Sequence, residues 1–439
     1  MANENFETIF EDQQKAEGIF SPVRPTKLED LDIPRSLVED LVLRYLLTKA
    51  SSSISELSNA LKLSFSLLHD LFQQLRQRRL FEVTEMRGRD YLFTLSGIGR
   101  GIAEKRFTIS HYIGPAPVSI KSYHEAVRSQ VVELNINREF LKKTLSDLVV
   151  TDDFLDQLGP ALISQKPIFI YGPTGNGKTS VASRLIGIYQ DPVLLPYTVE
   201  IDGQVIVLYD PNVHHKIDTD IPDLDQRWVL CRRPCIIAGG ELSPSMLELQ
   251  LEENSKVYAA PLQMKANNGI FVIDDFGRQV LSPRYLLNRW IVPLDKRVDY
   301  LSLNYGLSFK IPFEEIVVFS TNLDPNDLAD DAFLRRLQNK IYLDAVDDTV
   351  FDEIFHRLVS ERNLPCEPAS EELLRKLCLD SGTKDLRACY PLDIIDIIMS
   401  IGAYEKQVIE INKENLERAV SLYFTKPKTP YKSNSPTEF

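Results

Sequence analysis

Long uninterrupted apolar runs are missing from this sequence, and none approaches the roughly 18 residues that a membrane-spanning helix needs. The first residues, MANENFETIF, lack the basic start and apolar core of a secretory signal. Cysteine is scarce: the five cysteines among 439 residues are odd in number and scattered, which indicates reduced thiols and not a disulfide framework. These absences predict a cytoplasmic chain without membrane insertion.

Positive charge is also in deficit, with 50 lysines and arginines against 63 acidic residues and a formal net charge of −13. Nucleic-acid binding needs concentrated cations to neutralise phosphates, so this balance argues against a chain that binds nucleic acid over its whole surface. A single basic domain is still allowed. A length of 439 residues exceeds the roughly 250–300 that one core supports, so we expect two or three domains.

The N-terminal part begins with a polar, acidic segment, residues 1–33, which we expect to be flexible. Residues 34–107 predict three helices, two short strands joined by RGR and a closing helix. This order resembles a winged helix–turn–helix domain. Prolines and a glycine then mark residues 108–135 as an extended linker. At the other end, residues 425–439 are rich in Pro, Ser and Lys and are expected to be disordered.

The strongest motif follows PIFIY, a short apolar run suited to a buried parallel strand. It matches the pattern G-x-x-x-x-G-K-[ST] between a strand and an amphipathic helix, the context that a phosphate-binding P-loop requires. Glycines let the backbone wrap around phosphates, the lysine reaches the β- and γ-phosphates, and the threonine hydroxyl binds Mg²⁺. The residues predicted to bind nucleotide here are Gly172, Pro173, Thr174, Gly175, Asn176, Gly177, Lys178, Thr179 and Ser180.

Two further apolar runs end in polar residues. GIFVIDDF predicts a buried strand followed by Asp274, a Walker B candidate for holding Mg²⁺ together with Thr179, and by Asp275, a candidate base for the attacking water. IVVFSTN predicts a third strand that ends in Asn322, whose amide suits a sensor 1 residue between the two phosphate-binding strands. A strand-terminal Asn is also a common turn residue.

These ordered motifs resemble those of the AAA+ ATPases, and the resemblance covers residues 136–424. It implies an α/β fold: a P-loop AAA+ parallel sheet over residues 136–345 with a helical lid over residues 346–424, preceded here by the winged-helix domain. It also implies ATP and Mg²⁺ as ligands. This sequence departs from the family at Asp275, where a glutamate is usual.

The resemblance further implies an arginine finger in DDAFLRRLQNKIYL, with Arg336 the first candidate and Arg335 the second. A finger acts on the nucleotide of a neighbouring subunit, so the expected assembly is a homo-oligomer, a six-membered ring. In the lid, the position of the usual sensor 2 arginine holds Leu392, and Arg387 is the candidate substitute. Surface or structural roles remain open for each of these arginines.

Inserted segments separate the motifs. YTVEIDGQVIVLY predicts a hairpin with Asp202-Gly203 at its turn, and VDYLSLNYGLSFKI predicts a second hairpin before the sensor 1 strand. This second placement resembles the clade that includes MoxR-type chaperones. Residues 210–240 look irregular, and Cys231, Cys235 and two histidines there match no established zinc arrangement.

Two functions therefore compete. The first is a MoxR-like chaperone that uses ATP hydrolysis to remodel a protein complex, and the second is a DNA-linked ATPase that acts in transcription, in replication or as a mobile-element loader. A nucleotide-dependent assembly switch with slow turnover is a third hypothesis. The candidate contacts to double-stranded DNA in the winged helix are Arg76, Arg78, Arg79, Arg87 and Arg89.

Overall fold

A computed structural model describes residues 20–87, 90–219, 221–328, 334–381, 385–406 and 408–424. Residues 1–19 and the tail 425–439, expected to be flexible and disordered, lie outside the described residues. Residues 20–33, by contrast, are packed, although the sequence predicted flexibility for them. Phe20 contacts Trp228 edge to face, Val23 forms a β-bridge with Leu224, and Leu31 is buried. Apolar side chains within this polar segment supply the packing.

Helices predominate in the N-terminal and C-terminal thirds of the described residues. They are α1 (Arg35–Lys49), α2 (Ile54–Leu61), α3 (Phe65–Gln77), α4 (Gly97–Ile109), α5 (Ile120–Ser129), α6 (Arg138–Thr144), α7 (Asp152–Ile163), α8 (Lys178–Arg184), α9 (Leu262–Ala266), α10 (Pro283–Lys296), α11 (Pro325–Leu328), α12 (Asp348–Glu361), α13 (Ser370–Asp380), α14 (Cys389–Glu405) and α15 (Lys413–Tyr423). None of the helices in the described part of the chain combines the length and apolarity needed to span a bilayer.

Strands concentrate in the middle of the chain. They are β1 (Ser51–Ser53), β2 (Phe81–Arg87), β3 (Asp90–Leu95), β4 (Val118–Ser119), β5 (Ile168–Tyr171), β6 (Pro192–Pro196), β7 (Thr198–Ile201), β8 (Gln204–Val207), β9 (Trp228–Arg232), β10 (Cys235–Ala238), β11 (Gln250–Glu252), β12 (Val257–Ala259), β13 (Ile270–Ile273), β14 (Val298–Ser302), β15 (Ser308–Pro312), β16 (Ile316–Thr321) and β17 (Asn339–Tyr342).

The central sheet contains five parallel strands in the order β10–β13–β16–β5–β17. Strands β13 and β16 are buried along their whole lengths, which explains why their sequences are continuous apolar runs and do not alternate. Strand β16 pairs with β13 on one side and β5 on the other. The carboxyl ends of these three neighbours therefore meet at one edge of the sheet.

Residues 35–109 form a separate helical unit with a small sheet of order β1–β3–β2. Three helices pack around Phe72 and Phe93, and the hairpin β2–β3 covers the same core. The serine run, which was not assigned a structure from the sequence, forms β1 on β3. The side chain of Ser53 then caps α2 by accepting from the Glu56 N–H, so these serines are placed by a pairing and a cap.

A second mixed sheet of order β11–β12–β8–β7–β4 forms the inserted region. Both residues at the β7–β8 turn, Asp202 (φ 50°) and Gly203 (φ 76°), have positive φ, as a type I′ turn requires, so the predicted hairpin is present. The second predicted hairpin is β14–β15. Residues 108–135, expected to be extended, contain helix α5, which begins where Ser119 caps it by accepting from the Ser122 N–H.

Residues 210–240, expected to be irregular, also differ from that expectation. Strand β9 pairs with β6, and β10 is the edge strand of the central sheet beside β13. The four-residue run CIIA is too short to predict a strand by itself, and its order comes from pairing with a strand more than thirty residues away in sequence. The insert therefore completes the central sheet.

Charged groups join the N-terminal segment to the insert. The buried guanidinium of Arg227 forms ion pairs with Asp225 and Asp32 and donates to the carbonyl of Pro117. Asp32 also accepts from the backbone N–H of Ser119. A buried charge is tolerated when it is paired and hydrogen-bonded, so this cluster fixes residues 20–33 and the start of the insert against each other.

Candidate nucleotide site

The loop after β5 curls because three of its glycines take positive φ: Gly172 (142°), Gly175 (84°) and Gly177 (86°). An added Cβ at Gly172 would lie 2.2 Å from the carbonyl oxygen of Leu343, so a side chain cannot be accommodated there. Helix α8 begins directly after Gly177, at Lys178. This strand–loop–helix context is the one predicted for a P-loop, in which backbone amides bind phosphate.

The amine of Lys178 folds over this loop and donates to the carbonyls of Gly172 (2.9 Å) and Pro173 (2.7 Å). The side chain is largely buried, and burial lowers the pKa of Lys178, whereas the carboxylates of Asp275 and Asp274 act in the opposite direction. A cation held between carbonyls and carboxylates is suited to exchange these contacts for phosphate oxygens.

Thr179 and Asp274 meet across the sheet edge. The Thr179 hydroxyl lies 2.9 Å from both Oδ1 and Oδ2 of Asp274, the first residue after β13. Hydroxyl and carboxylate oxygens are the ligands that Mg²⁺ prefers, and Mg²⁺ in nucleotide sites takes few protein ligands besides phosphate oxygens. These two side chains therefore fit a shared Mg²⁺. Among the residues that the structure describes, no cluster of three or more His, Cys, Asp or Glu side chains could hold a metal without phosphate oxygens.

Asp275 and Asn322 are brought together in the same way. The Asn322 amide Nδ2 donates to Asp275 Oδ1 over 3.2 Å, because β13 and β16 are adjacent parallel strands whose carboxyl ends lie at the same edge of the sheet. Asp275 has a left-handed backbone (φ 48°), which is uncommon for a residue other than glycine and accumulates at functional sites. Its carboxylate is exposed on the cavity that the P-loop borders.

The cavity itself has a volume of about 630 Å³ and is within the range of small-molecule sites, roughly 300–1,000 Å³. One end is polar and contains the P-loop, Asp275 and Asn322. The segment before α7 and the lid helix α12 also line the cavity. They contribute the apolar residues Leu148, Val150, Phe154, Val350, Ile354 and Leu358 together with the charged residues Asp147, Asp153, Arg357 and Glu361. The cavity therefore offers a ligand both polar and apolar contacts.

The lid contacts the P-loop directly. The backbone N–H of Cys389 donates to the Gly175 carbonyl (2.9 Å), and Arg387 donates to the Thr174 hydroxyl (3.3 Å). Leu392, which replaces the usual arginine, also lines the cavity. Sequence reasoning missed Cys389, since a lone cysteine at a helix start gives no indication that its backbone binds a loop more than 200 residues away.

The two candidate finger residues differ in their surroundings. Arg336 is half-buried and its Nε forms an ion pair with Asp295 (2.9 Å). Arg335 is exposed and makes no hydrogen bond or ion pair within the part of the chain that the structure describes. Neither residue lines the cavity of its own chain.

The candidate DNA-contacting arginines of the helical unit are also dissimilar. Arg76 and Arg79 are exposed, whereas Arg78 is paired with Glu39 (2.8 Å). Arg87 ends β2, and Arg89 lies outside the described residues.

The residues considered for zinc are engaged in other contacts. Both ring nitrogens of His214 are hydrogen-bonded to backbone groups, and Cys231 is buried within the β6–β9 pair.

Strand order decides the fold class. The strand that ends in Asn322 lies between the P-loop strand and the strand that ends in Asp274, as predicted for a sensor 1 strand. This is the α/β P-loop fold with a helical lid. It confirms the fold class expected from the AAA+ resemblance.

Comparisons with known proteins add little about activity. A family model described as a domain of unknown function, DUF8689, matches residues 347–422. No curated protein matches this sequence. Three similar solved structures are a Thermotoga maritima RuvB mutant (12% identity, 65% of this chain and 70% of that one, TM-score 0.36), NtrX from Brucella abortus (13%, 72% and 71%, 0.41) and a magnesium chelatase BchI–BchD complex (15%, 67% and 93%, 0.30). At such TM-scores these likenesses do not bear on function.

Proposed function

We propose that this chain is an AAA+ ATPase that binds ATP with Mg²⁺ and hydrolyses it to ADP and phosphate. The observation that carries the proposal is the meeting of three strand ends, which brings Thr179 to Asp274 and Asn322 to Asp275 beside the amine of Lys178. A phosphate-binding loop, a pair of hard oxygen ligands and a carboxylate next to an amide are the parts that phosphoryl transfer to water requires.

Each side chain has a proposed role in this reaction. Lys178 binds the β- and γ-phosphates, and Thr179 and Asp274 hold Mg²⁺, which when bound neutralises charge on the phosphates. Asp275 accepts a proton from the attacking water, and Asn322 orients Asp275 and the water through its amide. Arg387 binds near the phosphates from the lid.

The decisive test is steady-state ATP hydrolysis by the full chain compared with Lys178→Ala, together with binding of a fluorescent ATP analogue. We expect the variant to lose both nucleotide binding and turnover. A wild-type rate no faster than that of Lys178→Ala, measured in the presence of Mg²⁺, would refute hydrolysis. If the wild-type protein still binds the analogue in that case, the chain binds nucleotide without hydrolysing it.

Remodelling of a protein complex, in the manner of the MoxR-type chaperones, is the proposed use of the energy. The support is the inserted hairpins, whose tips contact each other: the hydroxyl of Tyr305 donates to Asp202 over 2.7 Å. Both tips are exposed, and together they form a surface suited to contact a partner. The proposed assembly is a ring of six subunits. Mass photometry with and without Mg²⁺ and ATP tests it, and a monomer under both conditions would contradict it.

The N-terminal unit is proposed to be a winged helix that docks a protein. Its third helix presents Phe65, His69 and Asp70 on its outward face, ahead of the cation Arg76, and Arg78 is neutralised by Glu39. An aromatic and acidic surface suits a protein better than a phosphate backbone. Duplex DNA titrated at about 50 and 200 mM salt tests the alternative. Binding that weakens steeply with salt and is lost in Arg76→Glu would favour the DNA-linked function.

A second candidate is an assembly switch with slow turnover. Two observations favour it: Asp275 is one methylene shorter than the usual glutamate, and Leu392 puts an apolar group where a lid cation is usual. Turnover below about one ATP per minute, combined with ATP-dependent assembly, would identify the switch, since enzymes typically turn over about 1–10³ substrates per second.

A further inference from the structure

Asp275 lies on a short turn, residues 274–278, whose backbone is bound by side chains outside the recognised motifs. Gln279 contacts the turn twice. Its Nε2 donates to the carbonyl of Asp274 (2.6 Å), and its Oε1 accepts from the N–H of Gly277 (2.9 Å). These two hydrogen bonds connect the first residue of the turn to its fourth, through a side chain that lies just before α10 in sequence.

Thr321 holds the same turn from the neighbouring strand. Its hydroxyl, 1% exposed as a residue, donates to the carbonyl of Phe276 (2.6 Å) and accepts from the N–H of Leu323 (3.1 Å). The backbone of Ser320 adds a bond, since its carbonyl accepts from the Phe276 N–H (2.7 Å). The end of β16, which also supplies Asn322, is thereby fastened to the turn that follows β13.

The turn needs these bonds because two of its residues have unusual backbones. Asp275 is left-handed (φ 48°) and Gly277 has φ 105°. A Cβ at Gly277 would lie 2.7 Å from Leu323 Cδ1 and 2.8 Å from Leu328 Cδ2, so the turn is pressed against its neighbours. A left-handed aspartate persists only where the surroundings over-determine it. The contacts of Gln279 and Thr321 with the turn backbone contribute to this restraint.

We propose that Gln279 and Thr321 are positioning residues for Asp275, and that they set its distance from Asn322 and from the attacking water. This inference rests on the proposed hydrolysis. Neither Gln279 nor Thr321 lines the cavity. Their loss should therefore lower the rate of the chemical step much more than it weakens nucleotide binding, because the P-loop and Lys178 lie outside the turn and the Asp274 carboxylate keeps its contact with Thr179.

The test compares Thr321→Val, which keeps the shape and removes the hydroxyl, with Thr321→Ser, which keeps the hydroxyl. Gln279→Met removes both Gln279 contacts at similar size. We expect kcat to fall roughly 10- to 100-fold in Thr321→Val and Gln279→Met, with KM and analogue affinity within about threefold of wild type, and near-normal kcat in Thr321→Ser. Where wild type hydrolyses ATP, equal rates in all four proteins, or parallel losses of binding and rate, would overturn the inference.

A second readout does not depend on turnover. In crystal structures of the variants we expect the Asn322–Asp275 contact of 3.2 Å to be kept in Thr321→Ser and lost in Thr321→Val and Gln279→Met. An unchanged contact in the latter two would overturn the inference even if wild type hydrolyses no ATP. Absent turnover with a lost contact would instead count against the proposed hydrolysis and support the positioning role.

Discussion

The hydroxyl of Thr179 lies 2.9 Å from both carboxylate oxygens of Asp274, across 95 residues of sequence. This contact joins the P-loop helix to the end of β13. Strand β16 lies between β5 and β13 in the sheet, so this contact connects two strands that are not neighbours. The proposed binding of Mg²⁺ at this contact can therefore be tested by a single substitution.

We predict that Asp274→Asn weakens ATP-analogue binding in Mg²⁺ by about tenfold or more and leaves binding in EDTA unchanged. An amide is a poorer Mg²⁺ ligand than a carboxylate, whereas Lys178 and the loop amides still bind phosphate. Fluorescence titration with and without Mg²⁺ measures both affinities. The matched control is Asp218→Asn, an exposed carboxylate on the insert. Equal loss in both buffers would contradict a role confined to the metal.

Asp275 is expected to affect the rate of hydrolysis and not the binding of nucleotide. Asp275→Asn should lower kcat roughly 10²- to 10⁴-fold, the usual contribution of a general base, and keep Mg²⁺-dependent binding. Single-turnover hydrolysis measured by phosphate release checks the chemical step directly. Asn322→Ala is the companion variant, because it removes the amide that Asp275 Oδ1 accepts from. A near-normal rate in Asp275→Asn would assign the base to another group or favour catalysis by positioning alone.

Much of the nucleotide site could be predicted from the sequence because its parts are local. Each of β5, β13 and β16 is a short, largely apolar run; β5 is followed by the glycine-rich loop, and β13 and β16 are followed by Asp274 and Asn322. The glycines of the loop take the positive φ values that their residue type favours. The prediction that Asn322 lies between the phosphate-binding strands needed only their family order. The hairpins could also be predicted from local sequence. At Asp202-Gly203, for example, the two turn residues are ones that readily adopt the positive φ of a type I′ turn.

Long-range pairing set the limits of prediction. Strand β10 is short, and Ile237 within it is 45% exposed, so only its pairing with β13 makes it a strand. The residues 20–33 looked disordered because their few apolar side chains bury against partners about 200 residues away, such as Trp228. The contact of Cys389 with Gly175 is a hydrogen bond between backbone groups, so the identity of the residue at position 389 could not predict it.

Substitutions of Arg335 and Arg336 are expected to have different effects on catalysis and stability. Arg335, exposed and without an ion pair among the described residues, is available to a neighbouring subunit, whereas Arg336 is held by Asp295. We therefore expect Arg335→Ala to lower kcat about 10³-fold or more with nucleotide binding intact, the size of a lost arginine finger. Arg336→Ala should have a smaller effect on kcat and lower the melting temperature.

Mixed assemblies test whether this arginine acts in trans. Arg335→Ala subunits mixed with Asp275→Asn subunits should recover part of the rate, because a wild-type Arg335 then faces an intact Asp275 at some interfaces. Absence of recovery, or a larger loss of kcat in Arg336→Ala than in Arg335→Ala, would return the assignment to Arg336. The control is the same mixture with Lys178→Ala in place of Arg335→Ala and an unmixed wild-type sample.

Glu315 supplies a pH dependence that is independent of the nucleotide. It precedes β16, is 2% exposed, and neither carboxylate oxygen has a hydrogen-bond partner among the described residues. Burial raises the pKa of Glu315 well above its ordinary value, so the folded chain keeps a proton that the unfolded chain releases above about pH 4.5. Stability from this group is therefore complete below the unfolded pKa and falls as pH rises towards the folded pKa.

We predict that Glu315→Gln, which mimics the protonated acid, matches wild type near pH 5 and is more stable at pH 8. Each unit by which the pKa is raised corresponds to about 1.4 kcal/mol, and each kcal/mol shifts the melting temperature by roughly 2–4 °C in domains of this size. Melting curves at pH 5, 6.5 and 8 measure the difference, and the exposed Glu133→Gln is the control. A difference that is constant with pH would mean that Glu315 stays ionised in the fold, paired with a cation such as that of Arg297, whose guanidinium already donates to the Glu315 carbonyl (3.3 Å).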